Sequence, residues 1–466
     1  MKIKVQVVIE YENEEPETVV EEIYYLERDT PSLETLGLTL AEGKEILAYI
    51  QEKLVGQQVT DFIEQHRYCD RCHQPHRRNG YQTITYRTLF GNLKLKGQRF
   101  YHCTCQAHET KTFSPIIQLI SERTAPEFTY LQAKWASLMS YGLTVNLLEE
   151  VLPLSANVAT AFRQTQKIGQ RLEDELGEER YMYIEGPAAR WAELPTPDER
   201  LFVGIDGGFV RGREEGNRKA GWFEVIVGKS LLNNQPSKRF AFVQTYDEKP
   251  KRRLFETLQS HGMQMNQDIT FLSDGGDDVR ELQYYLNPNA EHILDWFHVT
   301  MKITAMCQIA KGLKDITFSE KMLRALERVK WRLWHGHVSP ALDDLDMTIL
   351  DCECEEETDG KRDQLLKALS EYYTYISNNR AFIPNYADRY RYDEIISTAF
   401  TESAINEVVS KRMVKKQQMR WSKKGAHLLL QVRVKTLNDE LHSTFEEWYP
   451  GMKCQWQPKF TKIINR

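Results

Sequence analysis

Residues 271–304 read FLSDGGDDVRELQYYLNPNAEHILDWFHVTMKIT, and their pattern sets the fold class. An apolar run, Ile269 to Leu272, ends in Ser273-Asp274-Gly275-Gly276. A helical segment is expected over 277–286. A second apolar run, His292-Ile293-Leu294, then ends in Asp295-Trp296-Phe297-His298. Two strands that finish in carboxylates with a helix between them make a βαβ pattern, and in such sheets chemistry gathers at the carboxyl ends of the strands. Upstream, Leu201 to Ile205 ends in Asp206-Gly207-Gly208 in the same way.

Working outward from this stretch, strand-like runs stand at 201–206, 222–227 and 240–245, with a helix at about 250–262 and strands at 269–273 and 292–296. Three strands followed by alternating α and β predict a mixed sheet covered by helices. Residues 297–390 are mostly helical in pattern, interrupted by an acidic break, DDLDMTILDCECEEETDGKRD. This reads as a helical insertion at about 310–395. After 395, a helix carries Glu402, Asn406 and Glu407. A basic run follows, Lys411, Arg412, Lys415, Lys416, Arg420, Lys423 and Lys424, with Trp421 inside it. Phosphate backbones are neutralised by such runs, although a solvated helix face carries the same residues.

The N-terminal part is built differently. Residues 1–30 read as two strands, and residues 39–65 as a helix with Leu47, Ile50, Leu54 and Phe62 on its apolar face. Cys69-Asp-Arg-Cys72 and Cys103-Thr-Cys105 flank a strand-rich stretch. Two such knuckles separated by a hairpin predict a zinc ribbon, four thiolates closing a tetrahedral site. The bland alternative is four reduced, packed thiols. His73, His76, His102 and His108 stand close enough in sequence to replace a ligand. The module is locally basic, with Arg67, Arg71, Arg77, Arg78, Arg87, Lys94, Lys96 and Arg99. Helices are expected over residues 128–141, 145–152 and 156–170, with Ser155 as the cap of the third. A short helix, a tight turn and a helix carrying Asn157, Thr160, Arg163, Gln164 and Lys167 fit a helix-turn-helix, and equally any small helical bundle. Cys352 and Cys354 lie among acids and are assigned no metal. Cys307 and Cys454 stand alone.

The bulk numbers bound these readings. A chain of 466 residues should hold more than one domain. A net charge of −6 argues mildly against a globally basic nucleic-acid binder. No apolar run reaches ~18 residues, so no membrane span is expected, and the N-terminus lacks the apolar core of a secretion signal. A cytoplasmic location is the expectation.

Asp206 and Asp274 each follow an apolar strand and precede glycines that leave the carboxylate uncovered. Carboxylates converging at one end of a sheet suit hard cations that also take substrate phosphate oxygens. A lone aspartate before glycine is ordinarily a turn residue, and Asp277 and Asp278 read as acids favouring a helix N-terminus. Joint placement is what distinguishes the set.

The segments VGIDGGFV, FLSDGG, ILDWFHVTMKI and TESAINEVVSKRMVKKQQMRWS give region 201–436 its resemblance to the ribonuclease H-like catalytic domain of DDE transposases. The nearest likeness is to bacterial insertion-sequence transposases of the ISKra type, relatives of the Mutator group. In that family the first aspartate lies on the first strand, the second ends the fourth, and a glutamate follows a helical insertion. The resemblance therefore implies Asp206, Asp274 and Glu402 as catalytic ligands of Mg²⁺ (or Mn²⁺), with Glu407 as the fallback for Glu402. The approach to Glu402, Thr398 to Thr401, departs from the glycine-rich pattern of the family. The family's DxxH element falls on Asp295 and His298, as support for the metal site or as a DNA contact.

The implied layout is an N-terminal strand-helix segment (1–65), a zinc-ribbon-like module (66–120), a helix-turn-helix-like domain (121–180), a linker (181–200), the catalytic domain (201–436) and a tail (437–466). The implied partners are element ends and target DNA, in a homodimer or larger complex. DNA contacts are expected from Arg163, Lys167 and the basic run after Glu402. The competing readings are a catalytically retired DNA-binding regulator and an actin-like ATPase. The latter would need a second phosphate loop, which the sequence lacks.

Overall fold

A computed structural model of the chain describes residues 1–10, 18–28, 32–105, 110–179, 200–213, 221–232, 235–264, 266–276, 281–283, 290–355, 360–414 and 419–452. The protein is mixed α/β and divides into two compact units. One comprises Met1–Ile168 with the segment from Glu440 onward, the other Gly169–Asp439. No helix of the described residues is long and apolar enough to cross a membrane.

The first unit opens with the antiparallel hairpin β1 (Lys2–Glu10) and β2 (Thr18–Glu27). Helix α1 (Leu40–Gln65) begins at a capping box. Thr39 Oγ1 accepts the Glu42 N–H, and Glu42 Oε2 accepts the Thr39 N–H. Its buried stripe is Ile46, Val55, Val59 and Ile63, while Leu47 and Leu54 are exposed. The face expected from Leu47, Ile50, Leu54 and Phe62 is therefore corrected. The β-branched residues on the neighbouring face meet the sheet instead.

That sheet is β3 (Arg78–Thr88), β4 (Gly91–Tyr101) and the short β5 (Thr112–Phe113), in the order β3-β4-β5. Ile84, Leu93, Leu95 and Phe100 pack with α1 and with Ile116 of α2 (Pro115–Leu119). Helices α3 (Pro126–Leu138), α4 (Tyr141–Val151) and α5 (Val158–Glu175) follow, and α5 runs on into the second unit. The cap of α5 is Asn157, whose Oδ1 accepts the N–H groups of Ala159 (2.9 Å) and Thr160 (3.3 Å), and not Ser155.

The second unit is built on five strands in the order β10-β9-β6-β7-β8. These are β6 (Leu201–Arg211), β7 (Trp222–Leu231), β8 (Lys238–Val243), β9 (Ile269–Ser273) and β10 (Glu291–Leu294). The first three pair antiparallel, and β9 and β10 add parallel to β6. Helix α6 (Pro250–Ser260) sends Leu254 and Leu258 against Leu201, Val203 and Ile205 on one sheet face. The helix expected over 277–286 lies largely outside the described residues.

Helices α7 (Trp296–Ala310), α8 (Ile316–Trp334), α9 (Val338–Glu353), α10 (Gly360–Asn378) and α11 (Tyr386–Arg391) build a second core. The acidic break expected here is instead mostly helix α9. Its Ala341, Leu345, Thr348 and Cys352 are buried at helical spacing, with the acids left on the other face. Cys352 is a packed thiol of this core. Helix α12 (Ala399–Ile405) continues as a π-helix (Asn406–Val414), and α13 (Lys423–Leu437) packs beside β8. Helix α14 (Leu441–Trp448) belongs to the first unit, where Phe445 meets Tyr130.

Candidate functional site

Strand register brings three carboxylates to one level. Asp274 and Asp295 follow the ends of β9 and β10, whereas Asp206 lies within β6, which runs on to Arg211 paired with β7, so the strand end expected at 206 is corrected. Gly204 pairs with Leu272 across parallel strands, so Asp206 stands level with Asp274 two residues on. Ser273 pairs with Leu294, so Asp274 stands level with Asp295. Neighbouring strands lie ~4.8 Å apart, which makes this a row of three carboxyl groups across β6, β9 and β10.

The row is not uniform. Asp206 is half-buried, and Gly207 donates its N–H to Asp206 Oδ1 at 2.7 Å. Burial raises its pKa above the usual carboxylate value. The Gly207 N–H and His298 oppose that shift, while Asp274 and Asp295 add to it. Asp274 is exposed on a tight turn in which Gly275 adopts φ +89°, a region open to glycine. The Tyr375 hydroxyl, on α10 of the insertion, donates to the Asp274 carbonyl at 3.0 Å.

Asp295 is fully buried and caps α7, Oδ1 accepting the Phe297 N–H at 2.9 Å. It also accepts His298 Nδ1–H at 2.7 Å, and both the backbone N–H and the hydroxyl of Thr398. Burial pushes its carboxyl up, but these four donors together hold it below the ordinary range. A carboxylate so enclosed touches neither DNA nor a solvent-borne metal. The expected DNA contact is therefore corrected for Asp295, whose bonds go to His298 and to Thr398 at the start of the helix that carries Glu402. His298 is held above the usual imidazole pKa, first by its bond to Asp295, then by that charge and by those of Asp206 and Asp274, against burial.

Glu402 is exposed on α12. That helix lies directly on β6: a Cβ at Gly204 would collide with Thr401 and Phe400, and one at Gly208 would press Ile405 at 3.2 Å. The two glycines bracket Asp206 on one face, so α12 crosses the strand at the level of the carboxylates. Among the described residues, the oxygens of Asp206, Asp274 and Glu402 do not all lie within 4.8 Å of one another. The fallback, Glu407, is occupied: Arg239 holds its carboxylate at 2.9 Å.

The donor set suits a hard cation. Asp206 and Asp274 offer oxygen donors of the kind such ions take, and the raised pKa of Asp206 comes first from burial and then from the nearby charges of Asp274 and Asp295.

In the first unit, the sulfur atoms of Cys69, Cys72, Cys103 and Cys105 lie within 4.8 Å of one another, with Cys69–Cys105 at 3.5 Å and Cys72–Cys103 at 3.3 Å. A tetrahedral Zn–S₄ site with bonds of ~2.3 Å needs sulfurs ~3.8 Å apart, so the cluster fits that ion. The N–H groups of Cys72 and Arg71 pull the Cys69 thiol down to about 6. The histidines do not displace a cysteine. His76 Nδ1 instead meets the Tyr101 carbonyl at 3.1 Å, and His108 lies outside the described residues.

The cationic residues separate sharply. Lys411, Arg420 and Lys424 are exposed and Lys423 half-exposed, whereas Arg412 is buried. The Arg412 guanidinium lies 5.2 Å from the Trp421 ring centre, so the expected phosphate contact from Arg412 is corrected to an interior cation–π pair. Lys415 and Lys416 lie outside the described residues, as do Asp277, Asp278 and Cys454. Arg163 and Lys167 are exposed one turn apart on α5, with Lys167 paired to Glu122 at 3.3 Å.

One cluster has no sequence signature. Glu173, Asp247 and His427 converge, and the Arg253 guanidinium stands among them, bonded to Asp247 at 2.8 Å and Glu173 at 2.9 Å. The Val243 N–H donates to His427 Nδ1, which leaves Nε2–H to face Glu173 Oε1 at 3.2 Å. A fixed cation already fills this donor set, so it does not fit a metal. It clamps α5, α6 and α13 together within the second unit.

No protein-family model matches the chain, and no curated protein matches it in sequence.

Proposed function

We propose that the protein is a DNA transposase of the DDE type, similar to those of the ISKra group, with a ribonuclease H-like catalytic domain in its second unit. The observation that carries this reading is the register that levels Asp206 with Asp274, on the first and fourth strands of the sheet. The helical insertion that precedes Glu402 supports it.

Asp206, Asp274 and Glu402 would hold Mg²⁺ or Mn²⁺, which supplies activation of a water or 3′-hydroxyl and stabilisation of the leaving oxygen in an in-line displacement. Asp295 fixes His298 by one bond and the start of the Glu402 helix by two others. His298, when protonated, offsets part of the charge of Asp206 and Asp274 until substrate arrives. Tyr375 and Gly275 set the turn that exposes Asp274. Cleavage adds water to a phosphodiester and frees a 3′-hydroxyl. Joining exchanges that hydroxyl for a target 3′-oxygen at phosphorus, with no net bond lost.

Arg163 and Lys167 contact element ends from the helix-turn-helix-like region, and Lys411, Arg420, Lys423 and Lys424 track the DNA backbone near the carboxylates. Cys69, Cys72, Cys103 and Cys105 would hold a structural zinc ion that ties the ribbon-like module together. Synapsis of two ends requires at least a dimer, and the expected location is the nucleoid.

The test is a labelled duplex carrying the DNA that flanks the coding sequence. The wild type should nick and join it with Mg²⁺, and Asp274→Asn should bind it but leave it intact. Full joining by Asp274→Asn overturns the proposal. Binding without nicking by the wild type would instead favour the retired-regulator reading.

A further inference from the structure

β3 and β4 present two faces of opposite character. Ile84, Leu93 and Leu95 are buried against α1 and α2. The register places the opposite face as four cross-strand pairs: Tyr81 with Gln98, Thr83 with Lys96, Thr85 with Lys94, and Arg87 with Asn92. Three of these eight residues are cationic and none is acidic. Thr83, Thr85, Asn92, Lys94 and Lys96 are exposed, and Tyr81 is 62% exposed, which is unusual for an aromatic side chain.

The face is also pre-shaped. Lys96 Nζ lies 4.4 Å from the Tyr81 ring centre, so the aromatic ring fixes where the ammonium stands. Lys94 and Lys96 are two residues apart on one strand, ~6.8 Å, on the same side of the pleat. At the adjoining edge a cavity of about 220 Å³ is lined by Arg67, Arg78, Tyr81, Lys96 and Gln98, together with Glu64, which Arg67 neutralises at 3.3 Å. Two more cation–aromatic pairs stand nearby, Arg77 with Tyr101 and Arg67 with Tyr68. Asn92, Lys94 and Lys96 also border a groove beside β4 that Glu21 and Glu52 help to line, and there Lys53 bonds Glu21.

We infer that this face of β3–β4 binds the phosphate backbone of a nucleic-acid duplex. Lysine, arginine, threonine, asparagine and glutamine are the side chains that donate to phosphate oxygens, and these five types make up seven of the eight positions. Helices α1 and α2 cover the back of the ribbon, so it lies across the backbone. The choice of nucleic acid over an acidic protein rests on the function proposed above. The contact is sequence-independent: it positions the duplex, and base discrimination falls to other elements.

The test uses the full-length protein and a fluorescein-labelled 30-base-pair duplex of random sequence, titrated from 50 to 300 mM KCl. Replacing Arg87, Lys94 and Lys96 by glutamine should lower the slope of log K against log salt by about 2 to 3, at ~0.9 per lost phosphate contact. Zinc content should be unchanged and the melting temperature nearly so, since Lys94 and Lys96 are exposed and Arg87 is half-exposed. Tyr81→Ala should weaken binding several-fold and Tyr81→Phe should not, because the ring face holds Lys96.

An unchanged slope in the triple variant overturns the inference. So does a triple variant that keeps duplex binding and loses binding to polyglutamate, which would make the face a site for an acidic protein. Asp274→Asn should leave the slope untouched, so failure here is distinct from failure of the catalytic reading, which appears as absence of divalent-dependent cleavage by the wild type.

Discussion

The backbone N–H of Thr398 donates to Asp295 Oδ1 at 3.0 Å, and the Thr398 hydroxyl bonds the other oxygen of the same carboxylate. The two residues are 103 apart in sequence and join the start of α7 to the start of α12. Through this link, one buried charge sets both the His298 ring and the helix that carries Glu402. Asp295→Asn cannot accept from all four donors. It is expected to cost about 3 kcal/mol, as for other broken buried charge networks. Urea unfolding measures this. A loss under ~0.5 kcal/mol, the range of an ordinary surface change, would remove Asp295 as the hub.

The close seating of α12 on β6 gives a second expectation. Gly204→Ala puts a methyl group into Thr401 and the Phe400 ring, and should destabilise by ~1–3 kcal/mol as overpacking does. It should also lower strand transfer, because it lifts Glu402 away from Asp206. Gly43→Ala is the control. It meets nothing within 4 Å and lies inside α1, so it should be neutral or stabilise by up to ~1 kcal/mol. Equal melting temperatures for the two variants would contradict the packing described.

Acid sensitivity should trace to Glu173. Burial alone would raise its pKa, but His427 and Arg253 hold it at about 2, against 4.5 for an ordinary glutamate. The folded-state value is below the unfolded one. The stabilisation is therefore complete above about pH 4.5 and is lost as pH falls toward 2. A shift of this size is worth about 3 kcal/mol. Glu173→Gln should show that deficit at pH 7 and converge on the wild type near pH 2–3, read as urea midpoints across pH. A deficit independent of pH would assign the effect to packing alone.

Zinc removal should act on the first unit. The purified chain is expected to carry one zinc ion, and chelation or Cys69→Ser should release it and lower the melting temperature of that unit, since structural zinc supplies folding energy. Elemental analysis and calorimetry measure this. A metal-free protein with an unchanged melting profile would leave the four cysteines as packed thiols.

The legibility of these features in the sequence follows the range of the physics involved. β9, β10 and the cysteine knuckles were readable because their signals are local: apolar runs ended by aspartate, and thiols at ligand spacing. The level of Asp206 with Asp274 was not readable from the runs themselves: β9 is buried on both faces, so its continuous apolar run carries no alternation that would fix register. Helix α9 was also readable in principle, since Ala341, Leu345, Thr348 and Cys352 keep helical spacing, but acids on its other face masked the stripe. The burial of Arg412 under Trp421 was not readable. A cation in a basic run is ordinarily solvated, and only the packing of the π-helix against β6 turns this one inward. The Glu173–Asp247–Arg253–His427 cluster draws on four separate segments and leaves no pattern in any of them. Asp295 read as support for the site or as a DNA contact, and only the enclosure by Thr398, Phe297 and His298 removes the second of these.

Asp274 is the residue proposed to bind the reacting metal, and a change of ligand softness tests that role most directly. Asp274→Cys replaces oxygen by sulfur, which Mg²⁺ accepts poorly and Mn²⁺ better. Joining of labelled end DNA by this variant should be lost in Mg²⁺, at least ~10³-fold, and partly restored in Mn²⁺, with DNA binding unchanged. Wild-type rates from Asp274→Cys in Mg²⁺ would show that Asp274 is not a metal ligand in the reaction.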